Sequence, residues 1–297
     1  MGTSVPIFLS PVVVNMTNYA PVAVIIPTFN RAEMLPRALE SVFSQSLPAA
    51  EVCVVDDGSD DATRQIVREQ FPDAQYHYQE NQGVSAARNL GVASSDAPWL
   101  AFLDSDDAWH PDKLEVQCEH AIENEDAALI HCDEVWIRNG RRVNPMQKHQ
   151  KQGGDIFDQS LGLCAISPSA VMLKRSLFEA VGGFDEGLPA CEDYDLWLRI
   201  CSQHDVEYIE EALLTRYAGH EDQLSQKYWG MDRFRVRSLR KLILRYPLNA
   251  SQRSKALQTL KQKCRVLIGG AQKRNNGDLI AECEAILLDC GVVDLVD

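Results

Sequence analysis

The chain has 297 residues, of which 45% are hydrophobic and 7% aromatic, and its formal net charge is −14. This length can bury the core of one large domain with a helical appendage, and the acidity disfavours a nucleic acid partner, because phosphate binding relies on clustered Lys and Arg. No stretch reaches the roughly 18 consecutive apolar residues that a membrane-spanning helix requires.

The start of the chain and the cysteines bear on its compartment. Residues 1–20 contain an apolar patch without a basic region or a clear cleavage site, so we expect a disordered tail rather than a signal peptide, with Met16 as an alternative start. The nine cysteines form no Cys-x-x-Cys pair and no His-rich zinc spacing. Reduced core thiols of a cytoplasmic protein are therefore expected.

From residue 22 onward, short β-rich runs alternate with helical ones. The predicted strands are VAVIIPTF, EVCVVDDG, AQYHYQE, PWLAFLDSD and AALIHCDEVWIR, and a helical segment separates each from the next. In the first helical segment Asn30 and Glu33 have capping-box spacing, and Pro36 marks a kink or the effective start of the helix. This alternation predicts an α/β fold, a Rossmann-like α/β/α sandwich with a mostly parallel central sheet.

Three of the predicted strands end in polar residues, namely Pro27-Thr28, Asp56-Asp57 and the run from Asp104 to Asp107. In parallel sheets ligands bind beyond the carboxyl ends of the strands, so we expect these residues to share one crevice. Residues 139–156 are polar and lack periodicity, which predicts a long loop that could act as a lid.

The acidic run after the fourth strand suits a metal ion. In an extended chain Asp104 and Asp106 project to one side and Asp107 to the other. Two carboxylates on one side fit Mg²⁺ or Mn²⁺, whose remaining ligands are waters and substrate phosphates. In the alternative interpretation Asp107 caps the next helix, the other two are solvated, and the Asp-Gly-Ser segment at Asp57 is ordinary turn chemistry.

Five motifs in order resemble the family 2 inverting glycosyltransferases of the GT-A fold. They are VIIPTFNR, VVDDGSDD, NQGVSAARNLG, LAFLDSDDAW and GGFDEGLPACEDYDLWLRI, and they lie within residues 22–220. The resemblance implies a GT-A catalytic domain over 21–222, followed by a basic helical region over 223–297.

The resemblance also implies roles for individual residues of a nucleotide-sugar site. By analogy Pro27 and Thr28 line the nucleotide pocket, and Asp56 hydrogen-bonds a uracil-type base. Asp57 and Arg88 support the same site. Asp104 resembles the residue that contacts the ribose, and Asp106 the metal ligand that bridges the diphosphate.

An inverting transfer also needs a general base across the sugar from the metal. By resemblance to the family's Glu-Asp motif Asp193 is the base, and Glu192 is the second candidate, with a role in contacting acceptor or donor sugar. The alternative is an acidic first helical turn that complements the helix dipole. His220 falls where several relatives carry a histidine that joins the metal or diphosphate; the alternative is a surface residue.

The C-terminal region differs in charge from the rest of the chain. Residues 225–274 contain 14 basic residues and one acid, Asp232. Arg233, Arg237, Lys241 and Arg245 recur every fourth position, which predicts one helical stripe. The stripe could contact an anionic acceptor or the acidic inner leaflet of a membrane, or it could be a solvated face packed beside the acidic catalytic region.

Together these patterns predict a cytoplasmic, metal-dependent, inverting glycosyltransferase, with peripheral contact at the inner membrane face. The expected donor is a nucleotide sugar, UDP-linked by preference, and the acceptor a hydroxyl of a cell-surface glycan or a lipid-linked saccharide. A nucleotidyltransferase is disfavoured because no Gly-rich, Lys-bearing phosphate loop follows the first strand. A non-catalytic sugar-nucleotide-binding module is disfavoured by the presence of both metal aspartates and a candidate base. The sequence gives no indication of the oligomeric state.

Overall fold

The computed structural model describes residues 18–144, 146–219 and 228–292, so Met16 and His220 lie outside the described residues. Within these ranges one nine-stranded sheet has the order β3-β2-β1-β4-β8-β6-β9-β5, with β7 beside β6. The strands are β1 (Ala20–Thr28), β2 (Ala49–Asp56), β3 (Gln75–Tyr78), β4 (Trp99–Phe102), β5 (Ala108–Trp109), β6 (Leu129–Arg138), β7 (Arg141–Val143), β8 (Val171–Lys174) and β9 (Glu207–Ala218).

The first half of the sheet is parallel, as the alternating pattern predicts. Strand β1 lies between β2 and β4 and pairs in parallel with both, while β3 pairs in parallel with β2. In the second half β8 is antiparallel to both β4 and β6, whereas β9 runs parallel to β6. The sheet as a whole is therefore mixed, and its parallel half carries the crevice at the strand ends.

Seven helices accompany this sheet within the described residues. They are α1 (Leu35–Phe43), α2 (Thr63–Gln70), α3 (Val84–Ala93), α4 (Lys113–Glu123), α5 (Phe157–Gly162), α6 (Arg175–Ala180) and α7 (Glu192–Cys201). Residues of α1 and α4 pack in the cluster that contains Val24 and Val54, on one face of the sheet. Residues of α3, α6 and α7 pack in the cluster that contains Ile25 and Phe102, on the other face. The three-layer arrangement is the predicted one.

The capping prediction for α1 is wrong in one part. The helix begins at Leu35, so Pro36 lies in its first turn, where its missing N–H costs no hydrogen bond. Asn30 is instead in a left-handed conformation, with φ of 52°, and its side chain accepts the Asp60 N–H at 2.9 Å. Asn30 therefore ties the end of β1 to the loop after β2 and does not cap the helix.

The prediction of a structureless loop over 139–156 is also wrong for its described part. Strand β7 pairs with β6, and a short 3-10 turn covers Gln147–His149. Gly154 forms a β-bridge with Val206, and Lys151 is buried. These anchors fasten the segment against the second half of the sheet.

The C-terminal region is helical as predicted and consists of α8 (Asp232–Arg245), α9 (Ala250–Gln272) and α10 (Gly277–Asp289). Helix α9 begins with a complete capping box between Asn249 and Gln252. Apolar residues of the three helices share one buried cluster with Phe157 of α5 and with Tyr194 and Leu198 of α7. The region therefore packs directly against the helix that carries the candidate base.

The predicted basic stripe on α8 is largely engaged within the molecule. Arg237 pairs with Glu282 at 2.6 Å, and Lys241 contacts Asp185 at 2.5 Å and Asp195 at 2.6 Å. Arg237 and Lys241, in the middle of the stripe, therefore match the alternative interpretation, in which the stripe packs beside acidic residues. Within the described residues no helix is long and apolar enough to cross a bilayer. All nine cysteines are free thiols, and Cys164 alone is not fully buried.

Candidate active site

The polar ends of the first, second and fourth strands lie side by side at one edge of the sheet. The register places Thr28 beside Asp56, and the Asp57 N–H donates to the Thr28 carbonyl at 2.8 Å. On the other side of β1 the Leu103 N–H donates to the Ile25 carbonyl at 3.0 Å. Asp104, the next residue, therefore lies close to the end of β1.

The nucleotide pocket predicted from the sequence contains a buried carboxylate and an unpaired hydroxyl. Asp56 is 1% exposed and accepts the Ser59 N–H at 2.8 Å and the Tyr76 hydroxyl at 2.5 Å. Burial and the bond to Asp56 raise the pKa of Tyr76 to about 12, so its hydroxyl stays a donor. The Thr28 hydroxyl is buried beside Pro27 and makes no hydrogen bond, which leaves it for a ligand to satisfy.

An exposed aromatic residue at this pocket was missed by the sequence reasoning. The Phe29 side chain follows Thr28 directly and is 43% exposed. The sequence does contain a signal for Phe29, because it is an aromatic residue that immediately follows the Pro-Thr pair at the end of a strand. A half-exposed ring at this position offers an apolar face to a planar base.

Asp57 organises the loop before α3 and supports the pocket indirectly. It accepts the Gln82 N–H at 2.9 Å, the Gly83 N–H at 2.8 Å and the Gln79 side-chain amide at 2.6 Å. Gly83 has a φ of 95°, a conformation that favours glycine, and it directly precedes α3. The buried Asp57 carboxylate thereby fixes the start of the helix that carries Arg88.

Arg88 connects the sheet with the acidic motif of α7. Its guanidinium donates to Glu192 at 2.7 Å and to Asp104 at 2.6 Å, and the residue is 2% exposed. Although burial opposes the charge, Asp104 and Glu192 raise the pKa of Arg88. Arg88 thus holds together two carboxylates that are 88 positions apart in the sequence, and it does not itself lie at the open surface of the pocket.

The acidic run forms a three-carboxylate cluster. One carboxylate oxygen from each of Asp104, Asp106 and Asp107 lies within 4.8 Å of the others. The expectation that Asp107 points away is wrong, because the Asp107 N–H donates to the Asp104 carbonyl at 3.0 Å and closes a turn. Side chains alternate only along an extended chain, so the turn brings all three to one side. Three carboxylates at this spacing fit Mg²⁺ or Mn²⁺.

Asp107 is the most buried member of this cluster. It accepts the Ser169 hydroxyl at 2.7 Å and the Tyr217 N–H at 3.1 Å. Burial and the neighbouring Asp106 raise its pKa well above the usual value. Arg37 donates to the Asp106 carbonyl and stacks over the Tyr217 ring at 3.6 Å. The turn is therefore braced from the first helix and the last strand, through residues that the sequence reasoning did not single out.

The two candidate bases have different surroundings. Glu192 is 5% exposed and bound to Arg88, and burial and Asp193 raise its pKa while Arg88 opposes that rise. Asp193 is only half-buried; it accepts the Tyr194 N–H at 2.6 Å and the Cys164 thiol at 3.0 Å. Burial and Asp193 raise the pKa of Cys164, so the thiol remains a donor. Asp193 is the more accessible carboxylate.

The buried Glu134 is surrounded by two cationic residues, an arrangement that the sequence reasoning missed. Glu134 is 3.5 Å from both Lys151 and Arg216, and Ser167 accepts a hydrogen bond from Lys151 at 3.2 Å. Although burial alone would raise it, Lys151 and Arg216 hold the pKa of Glu134 below its usual value. Arg216 directly precedes Tyr217, whose N–H donates to Asp107 at 3.1 Å, so it lies close to the acidic cluster.

Comparisons with known proteins bear on this arrangement. The sequence model of "Glycosyl transferase family 2" matches residues 23–182. An uncharacterized glycosyltransferase of Rickettsia typhi is 30% identical over 203 residues, which cover 66% of this chain and 64% of that protein. An Escherichia coli UDP-Glc:alpha-D-GlcNAc-diphosphoundecaprenol beta-1,3-glucosyltransferase is 31% identical over 191 residues, which cover 63% of this chain and 72% of its own length. The chain thus spans less than two thirds of the Rickettsia typhi protein.

Solved structures confirm the predicted fold. The S. aureus protein TarS (residues 1–349) in complex with UDP-GlcNAc superposes with a TM-score of 0.62 at 20% identity, over 82% of this chain and 71% of that one. The mannosyltransferase PcManGT from Pyrobaculum calidifontis, in complex with GDP-Man and Mn²⁺, gives a TM-score of 0.58 at 18% identity, over 93% of this chain and 87% of that one. At these identities the likeness concerns the GT-A fold alone.

Proposed function

Because the chain belongs to glycosyl transferase family 2, we propose that it transfers a sugar from a nucleoside diphosphate donor to an acceptor hydroxyl, with inversion at the anomeric carbon and with the help of a divalent cation. One observation carries the proposal. The buried Arg88 bonds both Asp104 of the acidic cluster and Glu192, so it connects that cluster with the start of α7, where the accessible Asp193 directly follows Glu192.

In the proposed mechanism the strand ends bind the donor. Asp56 and the unpaired Thr28 hydroxyl hydrogen-bond the nucleoside, and Phe29 packs against its base. Asp106 is the metal ligand, assisted by Asp104 and Asp107, and His220 is a further candidate ligand. A bound Mn²⁺ or Mg²⁺ would offset the negative charge that develops on the departing nucleoside diphosphate.

The protein supplies the base from the opposite side of the crevice. Asp193 takes the proton of the acceptor hydroxyl as that oxygen attacks the anomeric carbon. Its accessibility supports this role, and the bonds from the Tyr194 N–H and the Cys164 thiol fix its orientation. Glu192 is bound to the buried Arg88 and is proposed to position α7 rather than to accept the proton.

The proposed substrates are a UDP-sugar and a lipid-linked saccharide. The named activity of the E. coli relative uses a UDP-sugar and a saccharide on a diphosphate lipid, and the TarS structure contains UDP-GlcNAc. An acceptor of this kind lies at a membrane surface. We therefore propose that the protein is cytoplasmic and contacts the membrane peripherally.

The proposal is tested by calorimetric titration of UDP with and without Mn²⁺. Asp106→Ala should abolish the gain in affinity that Mn²⁺ provides and leave the weak metal-free binding unchanged, because it removes a metal ligand only. Asp96→Ala, an exposed carboxylate before the amino end of β4, is the matched control and should behave as wild type. Equal loss with and without metal would exclude the assignment of Asp106, and UDP binding without turnover of any nucleotide sugar would favour the non-catalytic alternative.

A further inference from the structure

An exposed aromatic and basic cluster lies where α8 begins. The Trp229 side chain is 51% exposed, and the Arg233 guanidinium lies over its ring at 3.9 Å. The guanidinium of Arg274, at the far end of α9, lies 5.6 Å from the same ring and is itself exposed. These three side chains, from two separate parts of the chain, are called the rim cluster below.

The rim cluster lies at the end of the C-terminal helices that packs against α7. The Cys191 thiol, just before Glu192, contacts the Met231 carbonyl at 3.7 Å, which places the start of α8 against the start of α7. A second connection runs through Lys263, which donates to the Gly162 carbonyl at 3.1 Å, two residues before the Cys164 that bonds Asp193. The start of α8, which carries Arg233 and directly follows Trp229, therefore packs against the start of α7, which carries Asp193.

The charges of Arg233 and Arg274 are not balanced by nearby carboxylates of the described chain. Asp232, the acid nearest in sequence, is occupied by Arg235 and Lys263, each at 3.0 Å. Among residues 18–144, 146–219 and 228–292 no carboxylate forms an ion pair with either Arg233 or Arg274. The Nη2 of Arg233 donates to the Trp229 carbonyl at 3.0 Å, and its buried Nε has no hydrogen-bond partner. This differs from Arg237 and Lys241, farther along α8, whose charges are paired.

We propose that the rim cluster binds the phosphate-bearing end of an anionic saccharide acceptor, with the diphosphate of a lipid-linked sugar as its occupant. This inference rests on the proposed function and adds the residues that recognise the acceptor. Guanidinium groups bind phosphate through paired, charge-assisted hydrogen bonds, and an exposed indole offers an apolar face to the attached sugar. In the proposed function the donor diphosphate binds at the acidic cluster with its metal ion, so the separate cations of the rim cluster are assigned to the other substrate.

The chemistry of the rest of the surface supports an anionic rather than a neutral occupant. The chain has a net charge of −14, and residues 1–224 contain 36 acidic and 15 basic side chains. Such a surface repels a diphosphate over most of its area. Two guanidinium groups at the start of α8, which packs against the start of α7, provide a local cationic site for a diphosphate acceptor.

The test is a calorimetric titration with α-N-acetylglucosaminyl diphosphate that bears a short alkyl chain, a water-soluble probe. Three proteins are compared: wild type, the double variant Arg233→Gln/Arg274→Gln, and Arg245→Gln. Arg245 ends the same helix, about 18 Å from Arg233, and matches the substitution away from the cluster. The double variant should bind the probe about tenfold more weakly or worse, with a reduced salt dependence, since two charge-assisted contacts are lost, and Arg245→Gln should bind as wild type.

Two further arms identify the source of the phosphate and the contribution of the ring. The alkyl glycoside of N-acetylglucosamine, which lacks the diphosphate, should bind wild type more weakly than the probe does. Trp229→Ala should weaken binding of both the probe and the glycoside, because it removes the apolar face. UDP binding in Mn²⁺ should be the same in all the variants, which shows that the fold and the donor site are intact.

Several results would overturn the inference. Equal probe affinity for the double variant and Arg245→Gln would remove the cluster from acceptor binding. Equal affinity of wild type for the probe and the neutral glycoside would do the same. Binding of acidic phospholipid vesicles that contain no saccharide, lost in the double variant, would assign the cluster to a membrane surface instead. If wild type binds UDP with Mn²⁺ but not the probe, the inference fails and the proposed function stands, whereas absent UDP binding contradicts the proposed function itself.

Discussion

Asp193 and Glu192 are adjacent carboxylates, yet their surroundings differ. Asp193 is half-buried and accepts two hydrogen bonds, whereas Glu192 is buried against Arg88. A general base must reach the proton that it removes, so accessibility decides between them. Asp57 and Asp56 also differ in their surroundings. Asp57 accepts hydrogen bonds from the backbone of the loop before α3, whereas Asp56 lies next to the unpaired Thr28 hydroxyl.

The first prediction follows for the Asp193→Asn variant. The amide keeps the shape of the side chain but cannot accept the proton, so sugar transfer should fall by roughly 10²–10⁴ while UDP binding persists. Turnover with a UDP-sugar and calorimetric UDP affinity are the two measurements. Wild-type turnover in this variant would exclude Asp193 as the base.

Lys113 is a buried amine outside the crevice, and its energetics can be tested through pH. It is 0% exposed, donates to the Gln117 side-chain oxygen at 2.7 Å, and lies 4.0 Å from the Trp109 ring. Burial lowers its pKa from 10.5 to about 8, and the neighbouring cysteines oppose this only partly. Below pH 8 the amine is charged in both folded and unfolded chains, and the cost of burying the charge is fully present.

The second prediction is the pH dependence of Lys113→Met. Between pH 8 and 10.5 the folded chain loses the proton while the unfolded chain keeps it, so the burial cost disappears as pH rises. The stability of Lys113→Met relative to wild type should therefore fall by about 3 kcal/mol from pH 7 to pH 10.5. Urea denaturation at several pH values measures this difference, with the exposed Lys273→Met as control. A difference that stays constant with pH would contradict it.

At the scale of secondary-structure elements, Arg88 connects α3, the end of β4 and the start of α7. Both of its partners are carboxylates, and the guanidinium is nearly inaccessible to water. A buried ion pair contributes modestly when complete, but removal of one partner leaves the others as uncompensated buried charges. The connection between the end of β4 and the start of α7 through these carboxylates therefore depends on one side chain.

The third prediction is that Arg88→Met destabilises the protein by about 3–5 kcal/mol and reduces sugar transfer. Urea denaturation gives the free energy of unfolding, and Arg68→Met on α2 is the matched control, expected to change it by less than about 0.5 kcal/mol. If Arg88→Met keeps wild-type stability and turnover, the buried connection has no energetic role.

The packing of α3 on the sheet depends on a glycine. A Cβ at Gly91 would lie 2.5 Å from Ile25 Cγ2 and 3.1 Å from Val55 Cγ2, so the helix can approach β1 and β2 only without a side chain there. Gly269 in α9 has no atom within 4 Å of the same added carbon. The two glycines are both helical and differ in their surroundings.

The fourth prediction contrasts alanine at these two positions. Gly91→Ala should destabilise by about 1–3 kcal/mol through overpacking, whereas Gly269→Ala should be neutral or stabilise by up to about 1 kcal/mol through helix propensity. The midpoints of thermal unfolding compare the two directly. Equal shifts for both variants would mean that α3 can move away from the sheet without cost.

At the scale of the whole molecule, the C-terminal helices share a core with the sheet domain. Phe234, Leu239 and Leu260 are buried in one cluster with Tyr194 and Leu198 of α7. The ion pairs of Lys241 with Asp185 and Asp195 connect the same surfaces. Basic residues of the C-terminal region thus form ion pairs with acidic residues of the sheet domain within one folded unit.

The fifth prediction is a single cooperative unfolding transition for the full chain. The apolar residues of α7 are buried by the C-terminal helices, so removal of these helices exposes them to water. A chain that ends at Ala218 should therefore lose the cooperative transition. Scanning calorimetry of both chains makes the comparison. Two separate transitions, or a truncated chain that unfolds cooperatively, would show that residues 223–297 are an independent region.

The sequence by itself determined the layered α/β fold, the strand ends that form the crevice and the helical C-terminal region. These are local properties, since periodicity and turn residues act over a few positions. The start of α1 near Pro36 and the grouping of Thr28, Asp56 and Asp104 followed from the same rules. Five ordered motifs added the family.

Only the tertiary structure decided which of these residues remain available to a ligand. Periodicity does not encode features that bend the chain or join distant segments. Examples are the turn that brings Asp107 to Asp104, the antiparallel pairing of β8, the anchoring of residues 139–156, and the ion pair of Lys241 with Asp195. Arg88 illustrates the reason. Its two partners lie 16 and 104 positions away, and burial, not sequence spacing, fixes whether a charge is paired or free to bind a ligand.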